Sequence, residues 1–236
     1  TTTGTTTGET DNGISVVNSS AGTDLTINAA TTTGAVDGIY ADNNGTGALS
    51  ITTTGTTTGT NNDGINAYNS SVGTSLTINA ATTTGGTSGI YATNKGTDLT
   101  INAATTTGAT DGIDARNYGT GALSITTTGT TTGGTFGIKA TNSGTGALSI
   151  TTSGTITGGT GYGIRTITAA NKTTTITLNS GAVSSTAGLG IFNNGGNSTT
   201  TVNTGASVAG KIVLGDGVDS LNFAGGDFSG VTLFDG

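Results

Sequence analysis

The chain contains no cysteine, histidine, proline, methionine or tryptophan among its 236 residues. Without cysteine there are no disulfide staples, thiol nucleophiles or zinc fingers. Without histidine the commonest metal ligand and general base are missing too. A cysteine-free composition is in keeping with an exported bacterial chain. Charge is equally sparse: charged residues make up 8%, the net charge is −7, and the six Lys and Arg are scattered. No polybasic surface for nucleic acid or anionic lipid can be assembled from them, so nucleic acid is not an expected partner. No apolar run approaches the length of a spanning helix, and membrane insertion by this segment is not expected. No signal peptide opens the chain, which starts in mid-pattern at "TTTGTTTG". The expectation is a segment of a longer protein.

What the sequence has instead is glycine (44 residues), threonine and a period. Abundant Gly, Ser, Thr and Asn with little charge is also the composition of disordered linkers. Here, however, hydrophobic residues make up 31% and keep a register that linkers do not keep. A Gly-Ile anchor recurs with its isoleucine at Ile14, Ile39, Ile65, Ile90, Ile113, Ile138, Ile164 and Ile191. A Leu-x-Ile unit recurs at Leu25, Leu49, Leu76, Leu99, Leu123 and Leu148, and a Thr-rich unit starts at Thr5, Thr31, Thr56, Thr82, Thr105, Thr130 and Thr155. All three advance by about 25 residues, the mark of stacked structural repeats.

Inside each repeat the period is 2. In "DGIYADNN" Ile39, Ala41 and Asn43 share one side, and Tyr40 and Asp42 the other; in "LSIT" Leu49 and Ile51 point inward, Ser50 and Thr52 outward. β-Branched residues punctuated by glycine make strands and turns, with no helix. The fold class is therefore all-β: a parallel β-helix, or β-solenoid, with about 25 residues and three short strands per coil. Those strands are Gly-Ile-x-Ala-x-Asn, Leu-x-Ile and Thr-Thr-Thr. Each pairs with its equivalent one coil away, roughly 4.8 Å distant. Asn43, Asn69, Asn94, Asn117 and Asn142 recur beside a turn, and are expected to stack as a structural amide ladder. Residues 1–168 read as regular solenoid, and residues 169–236 as degenerate C-terminal coils of the same solenoid. Val183 and Val208 there take the place of the central threonine.

Segments such as "GIYADNNGTGALSITTTGTTTG" and "GIKATNSGTGALSITTSGTITG" resemble the passenger repeats of bacterial autotransporter proteins. The closing "IVLGDGVDSLNFAGGDFSG" is similar to the segment that precedes their membrane barrel. The resemblance covers essentially the whole chain. It implies a right-handed parallel β-helix, exported and displayed outside the cell or at the outer-membrane surface, commonly as an adhesin or rigid stalk. It implies no particular activity. The chain departs from the pattern in lacking the barrel, and in a strand that has become almost pure threonine.

Alternation assigns directions to those threonines. Ile156 replaces the central threonine in "TITG", so the centre of each unit is the core position: Thr32, Thr57, Thr83, Thr106 and Thr131. Their hydroxyls are expected to bond to backbone or to one another. The outer pairs then face solvent as a two-column grid: Thr31 and Thr33, Thr56 and Thr58, Thr82 and Thr84, Thr105 and Thr107, Thr130 and Thr132. This grid is the candidate binding face, and three readings of it stand. Threonine is a good exposed strand residue whatever the function. The Thr-x-Thr array is similar to the ice-binding face of antifreeze β-solenoids. It also suits adhesion to a carbohydrate or a host surface.

Catalytic chemistry finds little support. Asp37, Asp63 and Asp111 precede the anchor glycine, where turn formation explains them, and Ser88 stands between Asp63 and Asp111 in the repeat. "LGDGVDSLN" partly fits a calcium-binding nonapeptide, but as one degenerate copy, so Asp216 and Asp219 read as turn residues. Tyr40, Tyr68, Tyr91 and Tyr118 point outward and can stack on sugars or a partner. The expectation is a non-enzyme without catalytic residues, metal or cofactor. Its partners are a host surface, a glycan or further copies of itself.

Overall fold

A computed structural model describes all residues, 1–236. The chain forms 24 strands and no helix, wound into about nine turns of a parallel β-solenoid with coils about 25 residues apart. Every named strand pairing is parallel and joins equivalent positions. Ile39, Ile65, Ile90, Ile113, Ile138, Ile164 and Ile191 form one column. Leu25, Leu49, Leu76, Leu99, Leu123 and Leu148 form another. Identical side chains stack because the coil length holds them in register, and no coil could bury its apolar face alone.

The core is a thin filament of 35 buried apolar residues, chiefly these columns with the alanines after each anchor isoleucine. The three strands per coil are present, and in three coils the last two run together as Leu49–Gly59, Leu76–Gly85 and Leu99–Gly108. The chain bends there without leaving the ladder; between Leu49–Gly59 and Leu76–Gly85 the register shifts from Thr53 to Thr56. The ladder also continues unbroken through the degenerate coils, where Ile156 pairs with Val183 and Val183 with Val208. Every glycine with positive φ belongs to that region, from Gly181 to Gly225. Sharper, less regular turns thus accompany the loss of the repeat.

The central threonines lie inside, as alternation requires: Thr32, Thr57, Thr83, Thr106 and Thr131 are fully buried. Their hydroxyls correct the expectation. The Oγ1 atom of each is buried without any hydrogen-bond partner. The reason is orientation and not coil spacing, since Thr127 donates to the equivalent Thr152 of the next coil at 2.9 Å: in Thr32, Thr57, Thr106 and Thr131 it is Cγ2 that faces the anchor glycine. Their methyls, by contrast, are tightly used. A Cβ placed on Gly38 would lie 2.7 Å from Cγ2 of Thr57 and 2.5 Å from the Gly64 carbonyl oxygen. The anchor position is glycine because the branch of the threonine strand fills the space a side chain would need.

The asparagines form the ladder expected of them. Asn43 donates to Oδ1 of Asn69, Asn69 to Asn94 and Asn94 to Asn117, at 2.8, 2.8 and 2.9 Å. Each also donates to a carbonyl of its own turn, that of Gly47, Thr74 or Thr97. One buried side chain therefore ties two coils together and closes a turn.

Candidate binding faces

The threonine grid is assembled by the register of the threonine strands. Thr7, Thr33, Thr58, Thr84, Thr107, Thr132 and Thr157 stand in one in-register column. In the neighbouring column Thr5 pairs with Thr31, and Thr56 with Thr82 and then Thr105. Thr130 stands next to it, its carbonyl accepting the Thr106 amide. Thr56, Thr107 and Thr130 are exposed, and Thr31, Thr33, Thr58, Thr82, Thr84, Thr105 and Thr132 half-buried. None of these ten hydroxyls is satisfied by another protein group. Both columns therefore offer unused donors and acceptors at each coil.

A second hydroxyl face adjoins the first. The outward residues of the leucine strands form a column of Thr26, Ser50, Thr77, Thr100, Ser124 and Ser149. Beside it run Asn28, Thr52, Asn79, Asn102, Thr126 and Thr151. From each leucine to the glycine closing its threonine strand, Leu25–Gly34 through 148–158, no residue is charged. A shallow trough of about 320 Å³, floored by Ala81 and Ala104, marks the bend between the two faces. The signal for this face was in the sequence: every residue after a repeat leucine is Ser or Thr.

Charge collects instead on the anchor strands and turns. Asp37, Asp63, Ser88 and Asp111 stack one above another in the turn. Each of the first two acids accepts the amide of the next coil at 2.9 Å, through Oδ1 of Asp37 from Asp63 and through Oδ1 of Asp63 from Ser88. These are coil-to-coil caps, in keeping with their reading as turn residues. Asp219 serves similarly, its Oδ1 accepting from the Ser198 amide at 2.8 Å and the Ser198 hydroxyl at 2.6 Å.

One outward carboxylate is buried. Asp114, on an outward strand position, is buried beneath two cations. Arg116 donates to it through Nη2 at 2.6 Å and Nε at 3.0 Å, and Lys139 of the next coil through Nζ at 3.0 Å. The bidentate pairing holds the Arg116 guanidinium more firmly charged than usual. Arg116 also lies over the Tyr91 ring, 5.0 Å from its centroid. Together with Asn66, Asp63 and Asp111 these side chains line a cleft of about 400 Å³. Burial, with the nearby Asp37 and Asp114 carboxylates, pushes the Asp63 carboxyl up to about 6 against the pull of the Ser88 amide. Burial likewise raises Asp111, with Asp114 adding to it. Reading repeat by repeat missed this cleft, because its lining comes from successive coils and Asn66, Tyr91, Asp114, Arg116 and Lys139 differ from one repeat to the next. Aligning the repeats would have found it: Asn66, Tyr91, Asp114 and Lys139 share one column.

Tyr40 and Tyr68 are half-buried and Tyr118 is exposed, on different coils. They form no common patch with Tyr91. No family model matches the chain, and comparisons with curated proteins and with solved structures return no match.

Proposed function

We propose that the chain is a non-enzymatic rod that works through its sides, outside the cell, as a stalk or adhesin of a bacterial surface. The observation that carries this reading is the pair of adjoining uncharged faces, whose hydroxyl and amide columns run in register coil after coil, with Asn102 and Asn79 bonded across coils within them. Such a surface has no group to move protons or attack a bond. It has many weak hydrogen-bonding positions at a fixed repeat, which suits binding by summed contacts along a partner. The partner is a host surface, a glycan or another copy of the rod. The likeness of the repeats to autotransporter passengers supports the extracellular or outer-membrane location.

The register of the Thr-x-Thr rungs supports a second reading, ice binding, in which ordered hydroxyls and methyls match the ice lattice. One experiment separates the two. The protein and a Thr31→Lys, Thr56→Lys, Thr82→Lys variant are tested for thermal hysteresis and ice recrystallisation, and for retention on cells, immobilised glycans and itself. Retention that the lysines reduce, with no effect on ice, supports the rod reading. Ice activity abolished by the lysines replaces it with the second. Absence of both activities overturns the two together.

A further inference from the structure

We propose that the cleft on the anchor face is a saccharide-binding site that seats one neutral sugar ring against Tyr91 and the carboxylates of Asp63 and Asp111. The inference rests on the rod being bound from its side, but not on the threonine columns, which occupy other strands of the coil.

Three features of the cleft select that chemistry. The first is an underused acceptor. Asp111 is only 5% exposed. Its one hydrogen bond is a long one, 3.3 Å from the Phe136 amide to Oδ1. That amide is itself shared with the Thr110 carbonyl at 3.3 Å. The other carboxylate oxygen has no partner, whereas Asp37 in the same turn position also takes the side chain of Asn62 at 2.8 Å. A largely buried carboxylate with a single long hydrogen bond is short of donors, and a ligand that donates to its free oxygen makes up the shortfall. The hydroxyls of a sugar ring are such donors.

The second feature is the balance of charge. Asp63, Asp111 and Asp114 face Arg116 and Lys139, and Asp114 is already satisfied by both cations. Because Asp63 is half-protonated near pH 6, the cleft comes close to neutral under mildly acidic conditions. A highly charged polymer of either sign would meet a like charge here; a neutral polyhydroxylated ring meets none. Acceptors and donors stand side by side, as hydroxyls that both give and take hydrogen bonds require.

The third feature is shape. At about 400 Å³ the cleft falls at the small end of the ligand-site range. Its lining comes from four successive coils, those of Asn66, Tyr91, Asp114 and Lys139, roughly 14 Å along the axis. Tyr91 is half-buried with Arg116 over one face of its ring, 5.0 Å from the centroid, which leaves the ring's edge and opposite face as the apolar contact for a sugar's C–H groups.

The test uses saturation-transfer NMR and calorimetry on the intact protein. The probes are glucose, galactose, mannose, N-acetylglucosamine and their methyl glycosides. The expected result is saturable binding of at least one probe, weakened tenfold or more by Asp111→Asn and abolished by Tyr91→Ala. Circular dichroism checks that each variant is folded; should Asp111→Asn unfold, Tyr91→Ala, which removes a surface ring, carries the test. No saturable binding by any probe, or binding that survives Tyr91→Ala, overturns the proposal. A protein that adheres to cells yet binds no sugar loses only the cleft, whereas loss of all adhesion removes the rod reading beneath it.

Discussion

The side-chain amide of Asn69 reaches across to Oδ1 of Asn94 on the next coil, 2.8 Å away, while Asn94 in turn donates to Asn117 at 2.9 Å. The relationship is directional, since every member both gives and receives, and it sits where no water reaches: Asn69, Asn94 and Asn117 are fully buried. Removing one member therefore strands groups on both sides.

Asn94→Ala should leave the Gly96 amide without a partner and take one hydrogen bond each from the Asn69 amide, Oδ1 of Asn117 and the Thr97 carbonyl. From the usual cost of unsatisfied buried groups, the loss is on the order of 3 kcal/mol. Asn94→Asp should be no better, because a carboxylate cannot donate. Urea denaturation measures both, and a loss below about 0.5 kcal/mol would show that the ladder contributes little.

Thr83→Val should stabilise the protein. The Thr83 hydroxyl is buried and unpaired in a fully buried side chain, so the substitution removes the unsatisfied atom and keeps the shape. The gain expected is about 1 kcal/mol. The chain already makes this exchange at Ile156, Val183 and Val208. A lower denaturation midpoint for Thr83→Val would mean that the hydroxyl finds a partner in solution.

Gly112→Ala should destabilise by about 1–3 kcal/mol, the usual range for an overpacked core. The added Cβ would sit 2.6 Å from the Gly137 carbonyl oxygen and 2.7 Å from Cγ2 of Thr131. Gly4→Ala, where nothing lies within 4 Å, is the control and should be near neutral. Equal melting temperatures for the two variants would contradict this account of the anchor glycine.

Stability should rise as pH falls from 7 toward 4. The Asp63 carboxyl titrates near 6 in the folded protein against 3.8 in its ordinary state, so the folded state holds the proton more tightly. An acid with a raised pKa destabilises the fold while it is charged, above about pH 6, and that penalty disappears as it protonates. Asp111, also raised, acts in the same direction. Asp63→Asn keeps an oxygen for the Ser88 amide, and should gain on the order of 2 kcal/mol at pH 8 but little at pH 4. A pH-independent gain would place the effect elsewhere.

The repeat, the coil length, the inward isoleucines and leucines, the amide ladder and the inward centre of each threonine unit were all legible in the sequence. Each follows from a period of 2 within strands and about 25 between them. Periodicity records which side of the sheet a residue takes and which residue lies above it. It says nothing of side-chain torsion, so the hydroxyls of Thr57 and Thr83 were expected to find partners, and they have none, whereas Thr127 and Thr152 do bond across one coil. It is silent too where residues break the pattern. Asp114 takes an outward strand position by alternation, and only the stacked structure lays Arg116 and Lys139 across it.

The sequence alone therefore determined the solenoid, because its backbone pairing and core are one repeating contact written along the chain. The tertiary structure alone decided the cleft of Asp63, Tyr91, Asp111 and Asp114. Its shape and charge arise from unlike side chains on neighbouring coils, some 25 residues apart in sequence and one strand apart in space.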